Sequence, residues 1–101
     1  MKLPFVEEAF LELEGCIRFY EKERAGYGTL FADEVRRKVA RAAKFPRSGI
    51  RMTDFSEERD VRLFVLSRFP YTVVTAKLRD EHAVVAIAHQ HRVPGYWRSR
   101  V

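Results

Sequence analysis

Eight side chains in the second half of this sequence carry groups that phosphate chemistry uses: Arg62, Arg68, His89, His91, Arg92, Tyr96, Arg98 and Arg100. Cleavage of RNA by the neighbouring 2′-hydroxyl needs a base for the hydroxyl proton. It also needs an acid for the leaving 5′-oxygen and fixed cations for the charge that builds on phosphorus. Tyr96 or a histidine can serve as base or acid, and the arginines can serve as the clamp. The same residues have a plainer reading. Tyr96 and Trp97 can be aromatic anchors that tie the tail to the domain, and the arginines can be a solvated face. Residue chemistry alone leaves both readings open.

Other chemistry finds less support. His89 and His91 lie two apart, so on a strand both side chains point the same way. No carboxylate or third histidine stands near them in the sequence, so hydrogen-bonded strand histidines are expected and no metal site is. Cys16 is the one cysteine, beside an apolar stripe, and reads as an inert buried thiol. A phosphate-binding glycine loop, a dinucleotide fingerprint and a Gly-x-Ser-x-Gly elbow are all missing, and no cofactor is implied.

These groups must be positioned by a single domain, residues 1–101, with 47% apolar and 33% charged residues. The longest unbroken apolar run, Ala83 to Ala88, is far too short for a membrane span. Glu7 and Glu8 stand where a secretory leader needs apolar residues, so a cytoplasmic location is expected. Charge is uneven: residues 1–35 hold four basic and eight acidic groups, residues 36–101 fifteen basic and six acidic. The arginine-rich second half points to an anionic partner, either nucleic acid or an acidic protein segment.

Periodicity supplies the scaffold. Lys2 to Phe5 is a candidate edge strand, a position that Pro4 permits. Val6, Ala9, Phe10, Leu13, Ile17 and Tyr20 line one face of a helix, with Gly15 offering a close approach. Gly26-Tyr27-Gly28 breaks that helix. Thr29 is placed to cap a second one, marked by Leu30, Phe31, Val35, Val39 and Ala42 and ending near Lys44. After the Phe45–Gly49 loop the period becomes two. Ile50–Met52 is a short extended piece, and Val61–Leu66, Tyr71–Leu78 and Ala83–His91 are strands. Arg79-Asp80-Glu81-His82 is the turn of the last hairpin. In the last strand Val84, Ala86 and Ala88 are expected on one side, and Val85, Ile87, His89 and His91 on the other. The fold class is α+β: an antiparallel sheet with an N-terminal helical hairpin packed on one face.

Order and spacing of short segments also carry a resemblance. They are Ala9…Glu12-Leu13…Phe19-Tyr20-Glu21…Ala25-Gly26-Tyr27-Gly28…Phe31…Glu34-Val35, then Phe45-Pro46-Arg47-Ser48-Gly49 and Val61-Arg62. Arg68-Phe69-Pro70-Tyr71-Thr72-Val73, Val85-Ala86-Ile87-Ala88-His89 and Arg92-Val93-Pro94-Gly95-Tyr96-Trp97-Arg98 follow. Through them the chain resembles the RelE/ParE superfamily of bacterial toxins from type II toxin–antitoxin systems, nearly end to end. The resemblance implies a small cytoplasmic toxin, neutralised by a cognate antitoxin whose acidic or amphipathic C-terminal segment wraps it. It also implies the fold read from periodicity.

The superfamily has two kinds of target. RelE-like members cut mRNA on the ribosome, using lysines and arginines on the sheet and a tyrosine near the C-terminus. By that resemblance Arg62, Arg68, Arg92 and Tyr96 are the catalytic candidates. Arg47, Arg51, His89, His91 and Arg98 are further candidates for binding. ParE-like members act on DNA gyrase. Gln90 stands where the RelE-like pattern has an arginine, and Arg47 and Arg51 stand where it has lysines. Arginine stays charged and is a poor proton donor or acceptor. The Ala86-Ile87-Ala88-His89 segment looks closer to the ParE-like side, which is therefore the expectation, with the ribosome-dependent endonuclease as the alternative.

Overall fold

A computed structural model describes residues 3–101. Helices α1 (Glu7–Glu23) and α2 (Tyr27–Lys44) come first, then a 3-10 turn (Pro46–Ser48). Strands β1 (Ile50–Arg51), β2 (Arg62–Val65), β3 (Tyr71–Leu78) and β4 (Glu81–His89) follow, and a second 3-10 turn (Arg98–Arg100) closes the chain. The strands form one antiparallel sheet in the order β1-β2-β3-β4. This is the expected α+β arrangement. Among the described residues no helix is long and apolar enough to cross a membrane.

The helical hairpin lies on one face of the sheet. Ala9, Phe31, Val35, Phe64, Phe69, Val73, Val84 and Ile87 are buried between them. Phe31 is completely buried at the centre; it stacks on Tyr20 at 5.2 Å and meets Phe69 and Tyr71 edge-on at 5.1 and 5.2 Å. Such aromatic pairs add about 0.5–1.5 kcal/mol each beyond the area they bury.

The link between the two helices differs from the expectation. The helix break is Arg24 to Gly26, so Tyr27 and Gly28 belong to α2 and Thr29 is not a cap. The exposed N–H groups are satisfied by Glu21, whose carboxylate accepts from Gly26 N at 3.0 Å and Gly28 N at 3.0 Å. Gly26 itself sits at φ +90°, a conformation that costs other L residues about 1–2 kcal/mol. The close approach of the helices is made at Gly28. A Cβ there would lie 2.7 Å from the Ile17 carbonyl oxygen, whereas one at Gly15 would meet open space. Gly28→Ala is accordingly expected to destabilise the fold by about 1–3 kcal/mol through forced separation of the helices, read by urea denaturation, and Gly15→Ala is not.

Pro4 does lie at an edge. Phe5 forms a parallel bridge with Val84, with Val6 N donating to Val84 O and Val84 N to Pro4 O; Lys2 lies outside the described residues. The last hairpin turns on two residues, Arg79 and Asp80, both at positive φ, so β4 begins at Glu81. It ends at His89 rather than His91, because the chain then folds back with Arg92 N donating to His89 O.

One irregularity changes the faces of β4. Val74 pairs with Ala86 but Thr75 pairs with Val84, leaving Val85 as an extra residue. A bulge of this kind breaks the two-residue alternation. Val84 therefore joins Ile87 on the helix side, and Val85 joins Ala86 and Ala88 on the other. That corrects the expected split of Val84 from Ile87. The second face is also covered: Val61, Val74, Ala76, Val85, Ala86 and Ala88 pack under the returning C-terminal tail, with Trp97 only 4% exposed.

Candidate functional site

The tail returns along β4 and builds a polar cluster around one carboxylate of α1. Ala9, Glu12 and Cys16 share a helix face, so Glu12 points where its neighbours are apolar. The position is tenable because every nearby donor converges on it. Tyr96 Oη donates to Glu12 Oε2 at 2.7 Å, and Ile87 N donates to Oε1 at 3.0 Å. Arg100 binds both oxygens, at 3.0 and 3.1 Å, and also donates to Val85 O at 3.0 Å. The Glu12 and Arg100 side chains are 16% and 15% exposed. Glu12 and Arg100 thus satisfy groups on the outer edge of β4 as well as each other. Arg92 lies over the Tyr96 ring at 3.9 Å and reaches within 3.9 Å of Glu12, with its own side chain 58% exposed.

Burial, with the hydrogen bond and negative charge of Glu12, pushes the Tyr96 hydroxyl pKa well above the ordinary tyrosine range; the nearby Arg100 and Arg92 offset this only in part. The hydroxyl is thus held in its protonated form, donating to Glu12.

Beside this cluster, the tail and sheet enclose a groove of about 240 Å³. Its floor is Leu63, Thr72, Val74 and Ala88, and the loop from His89 to Trp97 forms its wall. Trp97 stacks on Phe55 at 5.8 Å, and Arg98 lies over the same ring while pairing with Asp54. Tyr96 and Trp97 both anchor the tail.

The four catalytic candidates do not converge. Arg92 and Tyr96 stand together. Arg62 begins β2, where alternation with Val61 and Leu63 turns its side chain to the helix side of the sheet. It pairs with Asp60 at 2.8 Å and donates to the backbone carbonyls of Arg47 and Gly49. Arg68 lies beyond the other end of β2, exposed, in the turn before β3. The binding candidates are divided as well. Arg47 and Arg51 line a cleft with Arg62, and Arg98 belongs to the tail. His91 has left the strand, and its N–H donates to His89 Nδ1 at 3.0 Å. The rings are 5.4 Å apart, with His89 against Tyr71. Among the described residues no group of three or more His, Cys, Asp and Glu is placed to hold a metal.

Two residues of consequence are absent from the sequence-based set. Glu12 and Glu34 each occupy an apolar helix face, at a spacing of three from Ala9 and Phe31. A carboxylate in such a stripe must be met by donors from elsewhere in the fold, and that was the available signal. Comparisons with protein-family models, with curated proteins and with solved structures find no match for this chain.

Proposed function

We propose that the chain is the toxin of a type II toxin–antitoxin pair and acts in the ParE-like manner, by binding a protein such as DNA gyrase. One observation carries the choice against mRNA cleavage: Tyr96, the phenol that a RelE-like reaction would use, is held as a donor to Glu12. The separation of Arg62 and Arg68 from Tyr96 agrees with it. An inhibitor that works by binding needs a shaped, rigid surface, and the anchored tail provides one along its groove. In this reading the protein is cytoplasmic and is neutralised by an antitoxin segment with acidic or amphipathic character, which matches the basic second half of the chain.

The test pairs two assays on the purified chain. Gyrase supercoiling is expected to be inhibited, while mRNA in a reconstituted translation reaction stays uncut by primer extension. Tyr96→Phe removes one hydrogen bond to a carboxylate and is expected to lower stability by about 1.5–3 kcal/mol. Inhibition of supercoiling by that variant should stay close to the parent's, since the ring that lines the groove is kept and only the hydroxyl bound to Glu12 is lost. Ribosome-dependent cuts that disappear in Tyr96→Phe would replace this reading with the endonuclease.

A further inference from the structure

Two exposed apolar side chains and a glycine lie together on the outer face of α1. Leu11 and Phe19 are 55% and 54% exposed, although both are large and apolar. Neither belongs to the clusters buried on the two faces of the sheet. Gly15 stands midway between them, four residues from each. Glycine inside a helix costs stability relative to alanine. The folded chain makes no use of the space that Gly15 leaves, because a Cβ there would meet nothing within 4 Å.

The charges around this glycine follow the same order. Residues four apart are neighbours on a helix surface, and residues seven apart lie only about 20° out of line. Glu8 and Lys22 stand seven residues to either side of Gly15, so one face reads Glu8, Leu11, Gly15, Phe19 and Lys22. Both charged residues are exposed. Among the described residues neither makes an ion pair within the chain.

This face is its own complement. When a second α1 is laid antiparallel with Gly15 against Gly15, Leu11 comes level with Phe19 of the second copy. Glu8 comes level with Lys22 of the second copy, and a two-fold axis repeats both pairs. The missing side chain at Gly15 lets the two helix backbones approach closely at the crossing. A parallel arrangement would instead set Glu8 on Glu8 and Lys22 on Lys22. Glu7 and Glu23 are also equidistant from Gly15, but they point about 80° to the sides of this line.

We propose that the outer face of α1 is the contact of a homodimer, in which two copies cross antiparallel at Gly15. Leu11 and Phe19 fill the two sides of the crossing, and Glu8 and Lys22 close its ends. An unrelated partner would have no need of acid and base set symmetrically about the glycine. The contact shares no residue with the tail groove, so it stands apart from the toxin reading. It is small beside a standard interface, and the dimer should therefore be reversible and dependent on concentration.

The test is sedimentation equilibrium of the full chain over a wide concentration range. The mass should rise from 11.9 kDa toward twice that value as the concentration increases. Gly15→Glu sets two carboxylates against each other on the two-fold axis and should weaken association by about 100-fold or more. Its thermal unfolding should show an intact fold, since the side chain enters open space. Glu8→Lys and Lys22→Glu each turn attractive pairs into repulsive ones, and each alone should weaken association by roughly 5- to 30-fold. An equimolar mixture of these two variants restores opposite charges at both ends and should associate as tightly as the parent. A folding defect in either variant would persist in the mixture, so that recovery reports the contact itself. A mass that stays at 11.9 kDa up to millimolar protein, a dimer that persists in Gly15→Glu, or a mixture no tighter than its components would overturn the proposal.

Discussion

Glu12→Ala is expected to cost about 3–5 kcal/mol of stability in urea denaturation. The carboxylate is the meeting point of the Tyr96 hydroxyl, the Ile87 amide and the Arg100 guanidinium. Removing it leaves Arg100 with its charge in a site only 15% exposed. It also leaves a tyrosine hydroxyl and a strand-edge amide without their acceptor, and unmet donors of this kind cost more than the bonds themselves contribute. Arg100→Ala removes the cation but leaves Tyr96 and Ile87 bonded to Glu12, so its cost should be smaller. Adding Arg100→Ala to Glu12→Ala should then cost much less than it does in the parent, because the two groups form one network. Additive losses would show that the pair does not act as a unit. The same cluster holds the tail on the sheet, so Glu12→Ala should also loosen the Trp97 side chain, visible as a red shift of its emission.

Glu34→Ala is expected to cost about 2–4 kcal/mol. Glu34 is 3% exposed and caps the β2–β3 turn from α2. It accepts from Ser67 N at 2.6 Å, Ser67 Oγ at 2.8 Å and Arg68 N at 3.2 Å. Burial alone would raise its pKa. The Ser67 and Arg68 hydrogen bonds outweigh burial and hold it below the ordinary carboxylate value of 4.5. A carboxyl group whose pKa is lower in the folded chain than in the unfolded one adds stability above the unfolded value. That contribution is lost as pH falls through the folded value. The parent should therefore lose its advantage over Glu34→Ala as the pH is taken below about 4.5. Urea titrations at neutral and acid pH check this. A stability gap that stays constant with pH would mean that Glu34 acts by packing and not through its charge.

Both predictions rest on helix carboxylates that join distant parts of the chain. Elements set by neighbours in sequence could be read from it. The stripe from Ala9 to Tyr20 and the run from Tyr71 to Leu78 have one regular period and strong flanking breaks, and both fall where expected. Features that depend on a partner element could not. Glu21 takes the capping work expected of Thr29 because its carboxylate reaches across the helix break. The Val85 bulge depends on how β3 and β4 register, and one extra residue reverses the side of everything beyond it. The arginines of the second half share a charge and a region of sequence, but β2 turns Arg62 and the tail turns Arg92 onto different surfaces.

By itself, the sequence determined an α+β domain: two amphipathic helices, a strand meander and a basic second half. Periodicity, turn residues and net charge are local or additive, so they survive without knowledge of the fold. The tertiary structure alone decided which hydroxyl is tied to which carboxylate and which arginines meet. Those properties arise where segments dozens of residues apart come within a few ångströms, and no pattern within one segment records that distance.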